Sequence, residues 1–239
     1  METHPAPADV MKLPSPVKPN TNKFMKKVHY MKQTTISTKR RYTMRRTYTT
    51  SGETTFNGHP IVNQICDKNI LGVLDRTMSD FVNRHCKALF FRTDLDTPLG
   101  CTDASNHALS KTMEHMQKKL AAQGIDSAYV ATREEKNGRQ HYHTGCLVDG
   151  SKIRTPYTIQ QEMGQEFEHQ LGLPPNRNHG CMDDCSQDKY GQFQTNAHLI
   201  KRKDPDSYDE AFQRASYLAK AATKPQSGRQ VFSSHVRKQ

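Results

Sequence analysis

The sequence predicts an α+β fold, an antiparallel β-sheet with flanking helices. Three observations carry that reading. Apolar residues recur at helical spacing in four stretches. Short apolar runs of strand character fall between those stretches. An Asn-Gly pair, Asn137-Gly138, joins two of the runs directly, which makes them antiparallel neighbours. A hairpin rules out a purely parallel sheet, and the order helix, strand, helix, hairpin, helix, strand, helix describes a sheet with helices packed on it.

The elements follow in chain order. Within residues 61–86, Ile70, Leu74, Met78, Phe81 and Val82 fall at helical spacing. KALFFRTDL, residues 87–95, is a buried strand that turns polar at its end. A second helix spans 103–123, with Asp103 or Ser105 as its cap, a stripe of Ala108, Met113, Met116, Leu120 and Ala121, and Gly124 as its stop. Residues 126–134 and 140–148 are the two hairpin strands. Thr158 to Leu171 form a helix, 172–195 a long loop rich in Pro, Asn, Asp and Gly, and 197–202 a strand. The last helix spans 206–224, with Tyr208, Phe212, Ala215, Leu218, Ala219 and Ala222 on its buried side.

Charge divides the chain unevenly. Residues 1–50 hold 11 Lys/Arg against 2 Asp/Glu, a net +9, so the remainder carries only +2 of the total +11. The first segment is rich in Pro, Thr and Lys and has no apolar period, the composition of a disordered basic tail. We divide the chain into a basic N-terminal tail (1–55), a folded domain (56–225) and a flexible basic C-terminal tail (226–239). A basic tail beside a near-neutral domain implies a polyanionic partner, nucleic acid first, although such a tail also serves solubility. No apolar run approaches the roughly 20 residues of a membrane span, and the N-terminus lacks the apolar stretch of a secretory signal. The six cysteines do not form a disulfide framework and read as reduced thiols of a cytoplasmic protein.

The segment REEKNGRQHYHTG, residues 133–145, concentrates the chemistry. With Asn137-Gly138 at the centre of a two-residue turn, residue 136 pairs with 139, 135 with 140 and 134 with 141. Glu134 then lies opposite His141, and His143, two residues on, shares their face. Two imidazoles and a carboxylate leave coordination positions open, as a catalytic metal requires. The same three groups are compatible with a solvated hairpin face, or with the facial triad of a non-haem iron oxygenase, although such a triad normally draws its second His from a distant strand. His179, Cys181 and Cys185 offer three zinc-type ligands without a fourth, and a polar loop with free thiols is preferred there.

SYLAK, residues 216–220, is the second constellation. On a helix Tyr217 and Lys220 share a face, and Lys224 continues it. Tyr217 is then either an aromatic at the core's edge or a nucleophile whose developing charge Lys220 offsets.

A His-hydrophobe-His strand followed some 70 residues later by a helical Tyr-x-x-Lys resembles the HUH endonuclease superfamily, the rolling-circle replication initiators and related nickases. The likeness is greatest to initiators of filamentous phages and prophage-like elements, whose early strand reads Arg-x-Asp-Leu-His. Here Arg92-Thr93-Asp94-Leu95-Asp96 stands at the matching place, with Asp96 where a His is common. The likeness spans about residues 60–225. With Ala221 in place of a second tyrosine, the chain resembles a single-tyrosine member.

The resemblance implies an HUH-type palm, an RRM-like sheet, and a DNA nicking endonuclease and strand transferase. His141, His143 and Glu134 would hold Mg²⁺ or Mn²⁺, and Tyr217 would form a 5′-phosphotyrosine, assisted by Lys220. Single-stranded origin DNA would be the substrate, with Arg92, Arg133, Arg139 and Lys224 as phosphate contacts. Host helicase and polymerase would be partners in a bacterial cytoplasm, with no role for a membrane. Two other classes remain open: a non-catalytic DNA-binding protein acting through its tail, and a metal phosphodiesterase without a covalent intermediate.

Overall fold

Asp67 opens the first helix by accepting hydrogen bonds from the backbone N–H groups of Asn69 and Ile70, two donors that the helix itself leaves unpaired. That helix, α1 (Lys68–Arg84), buries Ile70, Leu74, Met78, Phe81 and Val82, the stripe its sequence spacing predicts. The computed structural model describes residues 46–99, 106–136, 139–174, 179–188, 190–225 and 230–234, all of which belong to the unit Met44–Gln239. Before α1, two short strands, β1 (Thr55–Phe56) and β2 (His59–Pro60), pair antiparallel. After it come β3 (Lys87–Asp96), α2 (His107–Ala122), β4 (Ser127–Lys136), β5 (Arg139–Asp149), α3 (Tyr157–Gln170), β6 (Met182–Asp183), β7 (Ala197–Lys201), α4 (Pro205–Ser216) and β8 (Val231–Ser233).

The expected α+β architecture is present. Six strands form one antiparallel sheet in the order β6-β3-β5-β4-β8, with β7 beside β6 on the same edge of β3. Alternation of side chains divides the core in two. Ala88, Phe90, Val130 and Leu147 face α1 and α4, while Leu89, Phe91, Leu95, Tyr142 and Cys146 face α2 and α3. Each face stays dry because a helix pair covers it. Gly124 ends α2 at φ +69°, where its N–H and that of Ile125 reach back to Ala121 and Leu120.

Three expectations change. The helix expected over 206–224 stops at Ser216, and a 3₁₀ turn follows over Tyr217–Ala219. The sequence there favours helix, but tertiary bonds override it. Asp67 N–H donates to Ala219 O, Ala221 N–H donates to Ile65 O, and Lys220 bridges Cys66. Residues 226–239, expected as a flexible tail, supply β8, which pairs with β4 and buries Phe232. Residues 46–55, assigned to the basic tail, dock on the domain through Thr49, whose N–H donates to Cys66 O and whose hydroxyl accepts from Cys66 N–H. The rest of that tail and the Asp103 or Ser105 cap lie outside the described residues. So does the Asn137-Gly138 turn, yet the strands on either side pair 136 with 139, 135 with 140 and 134 with 141, as the two-residue turn requires.

Candidate metal and tyrosine site

β5 is flanked by β3 and β4, and the site lies where these three strands leave the cover of α1 and α4. Arg92, Asp94 and Asp96 project from β3 on that face, with Glu134 from β4 and His141 and His143 from β5. Pairing sets Asp94 opposite His143, Asp96 opposite His141, and Glu134 opposite His141 from the other side.

Asp94 is the hub. One carboxylate oxygen lies 2.9 Å from Nδ1 of His143, and the other 3.5 Å from Nε2 of His141. One donor atom each from Asp94, His141 and His143 falls within 4.8 Å of the others, and among the described residues this is the group able to hold a metal ion. Burial opposes ionisation of Asp94. Hydrogen bonds with His141 and His143 and the charges of His143 and Arg92 outweigh it, holding the carboxyl well below the usual range. An anionic oxygen and two imidazole nitrogens suit a divalent transition ion. Arg92 opposes that ion in part, because its Nε and Nη2 occupy both Asp94 oxygens at 2.9 and 2.5 Å.

Glu134 reaches the site from the other side of His143, with Oε2 3.2 Å from Nε2. Its Oε1 pairs at 2.9 Å with Lys224, whose ammonium also donates to Thr132. Burial works against this carboxylate too, but His143 and Lys224 hold its pKa far down. The carboxylate that joins both histidines is therefore Asp94, and Glu134 is the buried counter-ion of Lys224. His141 has a second carboxylate partner in Asp96, through Nδ1. The aspartate that stands at a position expected to hold His thus faces the same imidazole.

Tyr217 sits on the 3₁₀ turn. Its ring stands edge-on to His143 with centroids 5.3 Å apart, and the Arg92 guanidinium lies 4.0 Å from its centroid on the ring face. Lys220 Nζ is 5.5 Å from the same centroid. The ring is half-buried, and its hydroxyl makes no hydrogen bond among the described residues. Tyr217, Lys220, His141, His143 and Glu134 are thus brought together, although Tyr217 and Lys220 do not share a continuous helix.

The expected phosphate contacts fare differently. Lys224 is 7 % exposed and committed to Glu134, so it presents no charge to a nucleic-acid backbone. The break after Ser216 removes it from the face of Lys220 and carries it across β4. Arg92 is 6 % exposed and belongs inside the site, bound to Asp94. Arg133 points to the opposite face of β4, 3.9 Å from Glu135, with its Nε buried and unbonded. Arg139 is exposed at the hairpin end of β5.

His179, Cys181 and Cys185 do not converge. His179 Nε2 contacts Pro174 O at 3.0 Å, and Cys181 is buried in the core toward α2 and α3. The Cys185 thiol, buried beside Asp94 and Arg92, has its pKa pushed far up by burial.

Asp94 is the main candidate ligand that the sequence reading leaves out. Its signal was the alternation Arg92, Asp94, Asp96, which puts three charged side chains on one face of a strand otherwise apolar. Arg214, three residues before Tyr217, was also missed.

Among the described residues no helix is long and apolar enough to cross a membrane. Residues 51–233 match the family model described as the YagK/YfjJ C-terminal domain. No curated protein and no solved structure matches the chain.

Proposed function

The chain belongs to the YagK/YfjJ C-terminal domain family, and from the site's geometry we propose that it is a metal-dependent enzyme that nicks and rejoins one DNA strand through a 5′-phosphotyrosine, as rolling-circle replication initiators do. The observation that carries the reading is the seat of Tyr217, held between Arg92 and His143 at the rim of the Asp94–His141–His143 group.

A divalent cation bound by Asp94, His141 and His143 would polarise a phosphate oxygen. Two nitrogen donors favour Mn²⁺ over Mg²⁺, which prefers oxygen throughout.

The chain's own residues do the rest. Tyr217 Oη attacks phosphorus, forming the P–O(Tyr) bond as the P–O3′ bond breaks. The phenolic proton passes to solvent, and the departing 3′ oxygen takes one up. The number of phosphodiester linkages is conserved, so resealing needs no nucleotide cofactor. A neutral phenol is a weak nucleophile. Arg92 over its ring and Lys220 beside it favour the negative charge that develops on oxygen. His143 fixes the ring edge, and Asp94 and Glu134 fix His143. The freed 3′ hydroxyl is a primer, which makes a host polymerase and helicase the natural partners.

The test is a denaturing gel after incubation with labelled single-stranded DNA and Mn²⁺. The protein should form a covalent adduct that EDTA suppresses and that Tyr217→Phe lacks. Cleavage by the Phe variant without an adduct would point to a metal phosphodiesterase. An adduct on the Phe variant would move the nucleophile to another tyrosine.

A further inference from the structure

The loop between β6 and β7 leaves the edge of β3 beside Arg92 and Asp94, since β6 pairs with residues 94–95 and β7 with 87–91. Its described outer residues, 187–188 and 190–193, approach one another across a turn. Gln187 bridges Phe193, Asp188 N–H donates to Gln192 O, and the Asp188 carboxylate accepts from the N–H groups of Tyr190 and Gln192. This hairpin displays Tyr190, 75 % exposed, and Phe193, 85 % exposed.

Its base is bolted to the site. The side-chain amides of Asn196 and Gln160 both donate to the backbone oxygens of Arg92 and Asp184. Gln194 Nε2 donates to Cys185 O and Gln187 O. Arg214 of α4 donates to Gln194 Oε1 at 3.1 Å and to Cys185 O at 3.2 Å. The hairpin is therefore held to the α4 side of the sheet, the side that carries Tyr217. Arg214 forms no ion pair among the described residues, and its Nε is buried without a hydrogen bond. Its Nη1 and Nη2 serve the base of the hairpin, and its charge is drawn toward Asp94 within the site.

We infer that this hairpin is a stacking platform for unpaired nucleobases of the strand whose phosphate enters the site, with Arg214 supplying the positive field beneath it. The inference rests on the reading of the site as a DNA-cleaving centre. Single-stranded nucleic acid is the occupant that fits, because it offers flat rings to the exposed aromatic side chains and anionic phosphates to the positive charge of Arg214. Base–aromatic stacking is tolerant of sequence, so the platform sets where the strand lies and not which bases it carries.

The experiment uses the full chain and an oligonucleotide with 2-aminopurine placed at successive positions. Its fluorescence is quenched on stacking, and anisotropy of an end label reports affinity. Adduct formation on the same oligonucleotide reads the cleavage centre separately. The wild type should quench 2-aminopurine at one or two adjacent positions. Phe193→Ala and Tyr190→Ala should each abolish part of that quenching and weaken binding by roughly 5- to 150-fold, the range for loss of one base–aromatic stack. Phe193→Leu, which keeps apolar area without a flat ring, should behave as Phe193→Ala. Equal quenching and affinity in the Ala variants, with the adduct still formed, overturns the platform and leaves the cleavage reading standing. Hairpin-dependent quenching with no adduct from the wild type does the reverse. Full affinity in Phe193→Leu alone overturns stacking in favour of a simple apolar contact.

Discussion

Replacing Lys224 by Met should destabilise the domain more than its expected role as a surface phosphate contact suggests. Its ammonium lies 2.9 Å from Glu134 Oε1, and the two side chains are 2 % and 8 % exposed. Removing one partner of a buried ion pair leaves the other charged and desolvated, at about 3–5 kcal/mol. For a domain of this size 1 kcal/mol moves Tm by about 2–4 °C, so the expected drop is roughly 6–20 °C. Lys224→Met with Glu134→Gln should recover much of it, because no unpaired charge remains. The assay is thermal and urea unfolding in EDTA, with the double-mutant cycle read at several pH values. The Glu134 carboxyl is held below its ordinary pKa in the folded state. Its contribution is therefore complete above the unfolded value of about 4.3 and is lost as pH falls through the folded one. The gap between wild type and Lys224→Met should accordingly shrink below about pH 4. A Tm change under 2 °C at pH 7, or a double variant no better than the single, would falsify the role assigned to this pair.

His141→Ala should lower Mn²⁺ affinity beyond the 10–100-fold typical of losing a mere outer-shell contact, as titration calorimetry will show; retained affinity removes this imidazole from the donor group. Residues 1–45 hold ten Lys/Arg and two Asp/Glu, Arg46 being the eleventh cation of the first fifty residues. Deleting them should reduce the slope of log affinity against log salt by up to about 7, at ~0.7 per phosphate contact on a single strand, and an unchanged slope means the tail does not bind DNA. Gly164→Ala places a Cβ 2.8 Å from Met182 Cβ, so α3 and β6 must separate. The cost is about 1–3 kcal/mol less the helix-propensity gain of up to ~1, measured by urea unfolding, and a stabilised variant would show that β6 yields freely.

The hairpin was legible because its signals are local. A turn residue pair fixes register, and register fixes which side chains share a face, so Glu134, His141 and His143 follow from thirteen consecutive residues. Asp94 was not legible as a candidate ligand, since its place in the group depends on β3 lying next to β5, a pairing across some fifty residues that no local pattern encodes. The end of α4 was misjudged for a related reason. LAKAAT is a good helical sequence by propensity, and only the bonds from Ile65, Cys66 and Asp67 turn it aside. Lys224 went with it, read as a surface charge when the redirected chain drives it beneath β4. β8 was missed because three residues after a polar stretch carry too short an alternation to be told from a tail.

The turn that carries Tyr217 closes on one hydrogen bond of its own, from Lys220 N–H to Tyr217 O. It is sewn to residues 65–67, which lead into α1, while the donor group beside it comes from the middle of the chain. A chain emerging from the ribosome has α1 and the strands of the donor group before it has the tyrosine. It gains the tyrosine seat only when the segment after α4 has returned to residues laid down some 150 positions earlier. A polypeptide cut short in synthesis can therefore hold the histidines and the aspartate without Tyr217 in place, and on the proposed mechanism the capacity to attach covalently to a strand arrives late in synthesis.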